Sequence, residues 1–177
     1  MGSDGVEAYR LGRDYTVMPI PIDPERCLEI DAGPLLFIAE ARWLSGDAVR
    51  EHASGSDQLA EIDEVEGLQD SGLSVHVLDA ADRREHLRFD CFENEPHYHY
   101  IRHSIGSNTV VRLDDIAEGD PLRWVLGRLR DRLPEMLEFL DLDDLANRVR
   151  AEGAVVARSI DVLEREIAKF EHSGGLE

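Results

Sequence analysis

The sequence predicts an α+β fold: an antiparallel β-sheet from the N-terminal two thirds, packed against C-terminal α-helices. Three observations predict it. Up to Leu113 the apolar residues form short runs or alternate with polar ones, as in strands. From Asp120 onward they recur every three or four residues, as in amphipathic helices. Strand-like and helix-like stretches are segregated, which disfavours the βαβ alternation of a parallel sheet.

Taken in order, the first extended stretch is Tyr9 to Ile22, with Tyr15-Thr16-Val17-Met18 as its β-rich centre. Pro19, Pro21 and Pro24 end it and point to an edge strand or a connecting arm. Cys27 to Ile30 and Leu35 to Leu44 read as two strands around an Asp-Ala-Gly-Pro turn, a hairpin; a short helix is the rival for 35–44. The apolar run Leu35 to Ile38 suits a strand buried on both faces. Ser45 to Gly67 is polar and acidic, with one helical turn at Asp47 to His52 and an exposed Ser54-Gly55-Ser56-Asp57 loop expected to be mobile.

Leu73 to Leu78 is a clear strand. Leu87 to Phe92 returns beside it, so 73–92 predicts a hairpin. His86, at the loop end, is expected to be exposed. Glu93-Asn94-Glu95-Pro96 has turn chemistry or makes a bulge, and His97 to Ile101 is extended again. Asn108 to Leu113 completes the strands. Asp120-Pro121 then opens a helix: Asp caps it, and Pro sits where a missing donor costs nothing. Pro134 breaks or kinks that helix. Phe89, Cys91, Trp124, Leu126 and Leu133 are predicted core contributors, with Cys91 unbridged.

Residues 1–141 thus form the α+β domain, and 142–172 read as one amphipathic helix capped by Asp143 or Asp144. That helix is either part of the domain or a dimerisation element. Val149, Val156, Leu163 and Phe170 recur every seven residues, interleaved with Gly153, Ile160 and Ile167. The seam serves either this chain's own core or a homodimer.

The run Arg88 to His103 concentrates chemistry, holding three of the seven histidines. On a regular strand His97, His99, Ile101 and His103 share a face. Residues two apart on a strand are separated by roughly 6–7 Å, so imidazoles of His97 and His99 can converge on one ion. A third ligand would come from His103, Glu93, Asp90, or His76 on the neighbouring strand. The candidate metal residues are therefore His97, His99, His76, Asp90 and Glu93, with a divalent cation such as zinc as cofactor. The alternative is a half-buried strand whose imidazoles only hydrogen-bond across the sheet.

Composition narrows the classes. With 177 residues, the chain suits one domain. Acidic residues number 38 against 19 basic, a net charge of −19 that argues against nucleic acid and suits a basic protein partner. No apolar run is long enough for a membrane span, and no signal peptide is evident, so a soluble cytoplasmic protein is expected. The two cysteines form no C-x-x-C and are expected to be reduced. No nucleophile elbow, phosphate-binding glycine loop or H-E-x-x-H is present.

Three segments carry a resemblance: S-V-H-V-L-D-A at Ser74–Ala80, L-R-F-D-C-F-E-N-E-P-H-Y-H-Y-I at Leu87–Ile101, and G-D-P-L-R-W-V-L-G-R-L-R-D-R-L-P-E-M-L at Gly119–Leu137. With them the chain resembles an uncharacterised bacterial family, a domain of unknown function. The resemblance implies a single α+β domain and no particular activity. The functional expectation is a non-catalytic binding or regulatory domain. The alternative is a divalent-metal-binding protein or metal-dependent enzyme using His97 and His99.

Overall fold

The computed structural model describes residues 11–54 and 67–172. Seven strands form one sheet: β1 (Arg13–Tyr15), β2 (Cys27–Ala32), β3 (Leu35–Ser45), β4 (Gln69–Asp79), β5 (Glu85–Phe92), β6 (His97–Arg102) and β7 (Ser107–Arg112). Their order is β1-β7-β6-β5-β4-β3-β2, and every neighbouring pair is antiparallel. Strands β2 to β7 are thus an up-and-down meander, each beside its successor, and β1 closes onto the outer edge of β7.

The β2–β3 hairpin turns at Gly33, whose φ of +71° is a conformation that favours glycine. Asp31 fixes that turn by accepting a hydrogen bond from the Gly33 N–H at 2.9 Å. The apolar start of β3 is buried on both faces, as its composition predicts. Between β4 and β5, Gly72 lets the strands approach where any side chain would run into the Cys91 carbonyl.

One face of the sheet is apolar. Phe37, Val75, Val77, Leu87, Phe89 and Tyr100 point to the helices and form the main core. Those helices are α3 (Pro121–Asp131), α4 (Leu133–Glu138), α5 (Asp143–Ala151) and α6 (Gly153–His172); the short α1 (Gly46–His52) follows β3, and the single turn α2 (Asp115–Glu118) lies just before α3. Asp120 caps α3 by accepting from the Arg123 N–H at 2.7 Å. Phe89, Leu126 and Leu133 are core residues as expected, with Cys91 and Trp124 partly buried against them. Cys27 and Cys91 are unbridged.

Several expectations need correction. Among the described residues of the first extended stretch, strand geometry is kept over β1; Val17 to Ile22 continues as an irregular arm, because its prolines cannot supply ladder donors. The C-terminal region is two helices, not one, interrupted at Glu152. Leu142 is the α5 N-cap, with no side-chain cap bond, so Asp143 and Asp144 sit in the first turn instead. The heptad seam faces this chain's own sheet: Val149, Val156, Ile160, Leu163 and Ile167 are all in the main core. His86 is buried, its ring edge-on to His103. Gly55, Ser56 and Asp57 of the expected mobile loop lie outside the described residues. Among the described residues no helix is long and apolar enough to cross a membrane.

Candidate metal centre

The other face of the sheet is polar yet largely buried. Glu40, Arg42, Ser74, His76, Arg88, Asp90 and His99 all lie there at 9 % exposure or less. Burying so many ionisable groups is costly unless they are paired. Their partners divide them into two clusters.

The first is a triad. In the β5–β6 register Asp90 stands opposite His97, and Arg88 opposite His99. Asp90 is therefore direct neighbour to one histidine and diagonal neighbour to the other, on one face. Its Oδ2 lies 3.2 Å from His97 Nε2 and 3.1 Å from His99 Nε2. The β5–β6 turn is set by Asp70, whose carboxylate accepts the Asn94 and Glu95 N–H groups at 3.2 and 2.9 Å. That turn starts β6 at His97 and points both imidazoles at Asp90.

The outer ring nitrogens decide what the inner ones can do. His97 Nδ1 is 2.7 Å from the Glu95 carbonyl oxygen. A carbonyl only accepts, so Nδ1 carries the hydrogen. His99 Nδ1 is 2.9 Å from Asn108 Oδ1. The Asn108 amide cannot be reversed, because its Nδ2 donates to the Val17 carbonyl at 3.1 Å. Each neutral imidazole therefore turns an Nε2 lone pair toward Asp90 Oδ2. The second carboxylate oxygen is held by a hydrogen bond from Ser74 Oγ.

Three electron-rich atoms pointed at one place require positive charge between them. Protons supply it unevenly. Burial alone pushes His97 down, but hydrogen bonding and charge attraction from Asp90 outweigh it and raise His97 above its ordinary value. At His99 burial prevails and the ring is pushed down, toward the neutral form. Burial pushes Asp90 up, but the two histidines outweigh it and hold the carboxyl well below its usual range. A proton on His97 satisfies one contact and leaves the His99 lone pair facing the carboxylate. A cation satisfies both. Two ligands at about 2.1 Å from one ion are about 3.0 Å apart at right angles and about 3.4 Å apart in a tetrahedron. The observed 3.1 and 3.2 Å fall between. Among the described residues, Asp90, His97 and His99 form the one group of three or more ligand-type side chains close enough to share an ion.

The triad opens onto a cavity of about 330 Å³. The β5–β7 strands make its floor, the arm Val17 to Ile20 one wall, and Val49, His52 and Ala53 of the α1 region another. Side chains from the sheet and α1 hold the arm by its carbonyls. Arg88 donates to Ile20 O at 2.8 Å, Arg42 to the same oxygen at 2.9 Å, and His52 contacts Met18 O at 2.7 Å.

The second cluster lies beside the first, toward β3. Arg88 grips Glu85 with two parallel bonds of 2.8 Å, and Arg42 donates to Glu40 at 3.0 Å. Burial pushes Glu85 up, but Arg88 and then His76 outweigh it and bring the carboxyl to about 2. His76 sits between the two acids. Its Nδ1 is 2.6 Å from Glu85 Oε1; its Nε2 is 3.0 Å from Glu40 Oε2 without the alignment of a hydrogen bond.

Of the residues singled out from the sequence, His97, His99 and Asp90 are brought together; His76, Glu93 and His103 are not. His76 is on the correct face, but Arg88 lies between it and His99 in the cross-strand register. Glu93 is exposed in the turn, its N–H bonded to Ser71 O. His103 falls past the end of β6 and reaches the Glu85 carbonyl at 2.7 Å. Sequence reasoning missed Asn108, Ser74 and Asp70. Their roles depend on strand register, which side-chain alternation leaves open. Polar Asn108 beside the β-branched run 109–111 was the one available signal.

No curated protein matches the chain, and no solved structure does. The family model described as a domain of unknown function, DUF7700, matches residues 29–167, taking in β3 to β7, the triad and most of α6, and the chain belongs to that family.

Proposed function

We propose that this domain binds a divalent transition-metal ion through Asp90 Oδ2, His97 Nε2 and His99 Nε2. One observation carries the reading: both outer ring nitrogens are committed to carbonyl acceptors, so in the neutral imidazoles both inner nitrogens turn their lone pairs to the carboxylate. The same contacts are the outer-shell bonds that orient ligating histidines. Two imidazoles and one carboxylate suit zinc, iron(II) or manganese(II).

Three protein ligands leave coordination positions open toward the cavity, as catalytic sites do and closed structural sites do not. A bound ion would supply Lewis acidity, or an activated water at neutral pH. The cavity supports metal-dependent chemistry on a small molecule, in preference to a purely non-catalytic binding role. Cobalt(II) titration tests the assignment. The wild-type protein should develop visible ligand-field bands that saturate, and His99→Ala should not. Bands of equal strength in His99→Ala would overturn it.

A further inference from the structure

The cavity over the triad has charged walls that are already matched and apolar walls that are not. We infer that it takes a small molecule with an uncharged apolar body and one metal-binding group at its end, the group on the open side of the ion and the body against the apolar walls. The inference rests on the metal reading above.

Each charged side chain on the wall is engaged within the protein. Arg42 and Arg88 are held by Glu40, Glu85 and the Ile20 carbonyl. The Asp70 carboxylate accepts the backbone N–H groups of Ser71, Asn94 and Glu95. Arg112 meets Glu95 at 3.3 Å, in a pair whose side chains are 75 % and 56 % exposed and so face water. The Arg13 guanidinium lies over the Tyr15 ring, 5.1 Å from its centre. A charged group on a ligand body would lose its hydration here and would have to break one of these pairings to replace it.

The apolar wall comes from five separate parts of the chain. Val17 and Ile20 belong to the arm, Leu44 to β3, Val49 to α1, Phe92 to β5 and Val110 to β7. Two of them stand beside the metal-binding histidines. Val110 is opposite His99 in the β6–β7 pair, and residues directly opposite share a face. Phe92 is edge-on to the His97 ring, with 5.7 Å between centres. Apolar surface therefore begins at the ion's open side. Covering it takes carbon out of water, at about fourfold in affinity for each methylene buried. A volume of 330 Å³ is at the small end of the roughly 300–1,000 Å³ of small-molecule sites, so the body is short.

Calorimetric titration tests this on the full chain, first with zinc alone, then with hydroxamates on the zinc-loaded protein. A hydroxamate holds zinc through two oxygens, so the metal-binding end stays constant while the body varies. Hexanohydroxamate has four more methylenes than acetohydroxamate, corresponding to about two hundredfold if all are buried. It should bind at least about tenfold more tightly than acetohydroxamate. Analogues of hexanohydroxamate ending in an ammonium or a carboxylate should bind at least about tenfold more weakly than it does. Leu44→Asn and Val49→Asn, on two different walls, should each bind zinc and acetohydroxamate as the wild type does and lose about threefold or more in hexanohydroxamate affinity. Hexanohydroxamate binding no more tightly than acetohydroxamate would overturn the inference and leave the metal reading standing. So would a charged analogue that matches hexanohydroxamate, or undiminished hexanohydroxamate binding by both variants. Failure of the wild type to bind zinc in the first titration would overturn the metal reading and this inference with it.

Discussion

Replacing Glu85 by Gln should weaken the fold in a way that depends on pH. Glu85 is 16 % exposed, and Arg88 holds it with two bonds. Its carboxyl falls from 4.5 to about 2 on folding. At roughly 1.4 kcal/mol per pH unit, that depression corresponds to about 3 kcal/mol of stability. The folded state holds this carboxyl charged more strongly than the unfolded chain does. The contribution is therefore fully present above pH 4.5 and is lost as pH falls toward 2. Gln also leaves the Arg88 guanidinium buried without its counter-charge, so the loss at pH 7 should be about 3–5 kcal/mol. For a chain of this size that is about 6–20 °C in melting temperature. Urea unfolding of both proteins at pH 7, 4 and 2.5 measures it. The gap should narrow steadily as pH falls, because the wild type loses the interaction the variant already lacks. A gap that stays constant from pH 7 to 2.5 would refute the reasoning.

Other substitutions probe other parts of the account. Asn108→Leu should reduce zinc affinity about 10- to 100-fold in a chelator competition, because it frees the His99 outer nitrogen. Leu163→Ala, at a fully buried α6 position, should cost about 2–5 kcal/mol. Its melting temperature should be as independent of protein concentration as the wild type's, since the seam serves the chain's own core. Gly72→Ala should destabilise by about 1–3 kcal/mol, because its Cβ would clash with the Cys91 carbonyl. Gly127→Ala, in mid-helix with nothing within 4 Å of the new Cβ, should stabilise by about 0.5–1 kcal/mol.

Much of the architecture was legible because local chemistry and tertiary role coincide. Leu87, Phe89 and Cys91 alternate in sequence and do pack toward the helices. Asp120-Pro121 marks a helix start in sequence and caps one in space. The candidate site was legible only in part. His97 and His99 share a face by simple alternation, and Asp90 was one of several candidate third ligands. Choosing it over His76 required knowing that β5 pairs with β6 so that Asp90, and not Arg88, stands opposite His97. A shift of one residue would have turned Asp90 to the other face. Asn108 was invisible for the same reason. Its partners are nine residues away at His99 and 91 residues away at Val17. The break between α5 and α6 was hidden because Gly153 fits the heptad spacing while the backbone turns at Glu152. The seam was visible, but periodicity alone does not say which surface it meets.

The central claim is that Asp90, His97 and His99 hold a metal ion. Elemental analysis of protein purified without a nickel column tests it most directly. The wild type should carry a first-row divalent metal at about one ion per chain, or take it up from added zinc or manganese. Asp90→Asn and His99→Ala should carry less than about a tenth of that and show no rise in melting temperature on metal addition. A wild-type protein that is metal-free as purified, and whose melting temperature ignores added zinc and manganese, would contradict the claim.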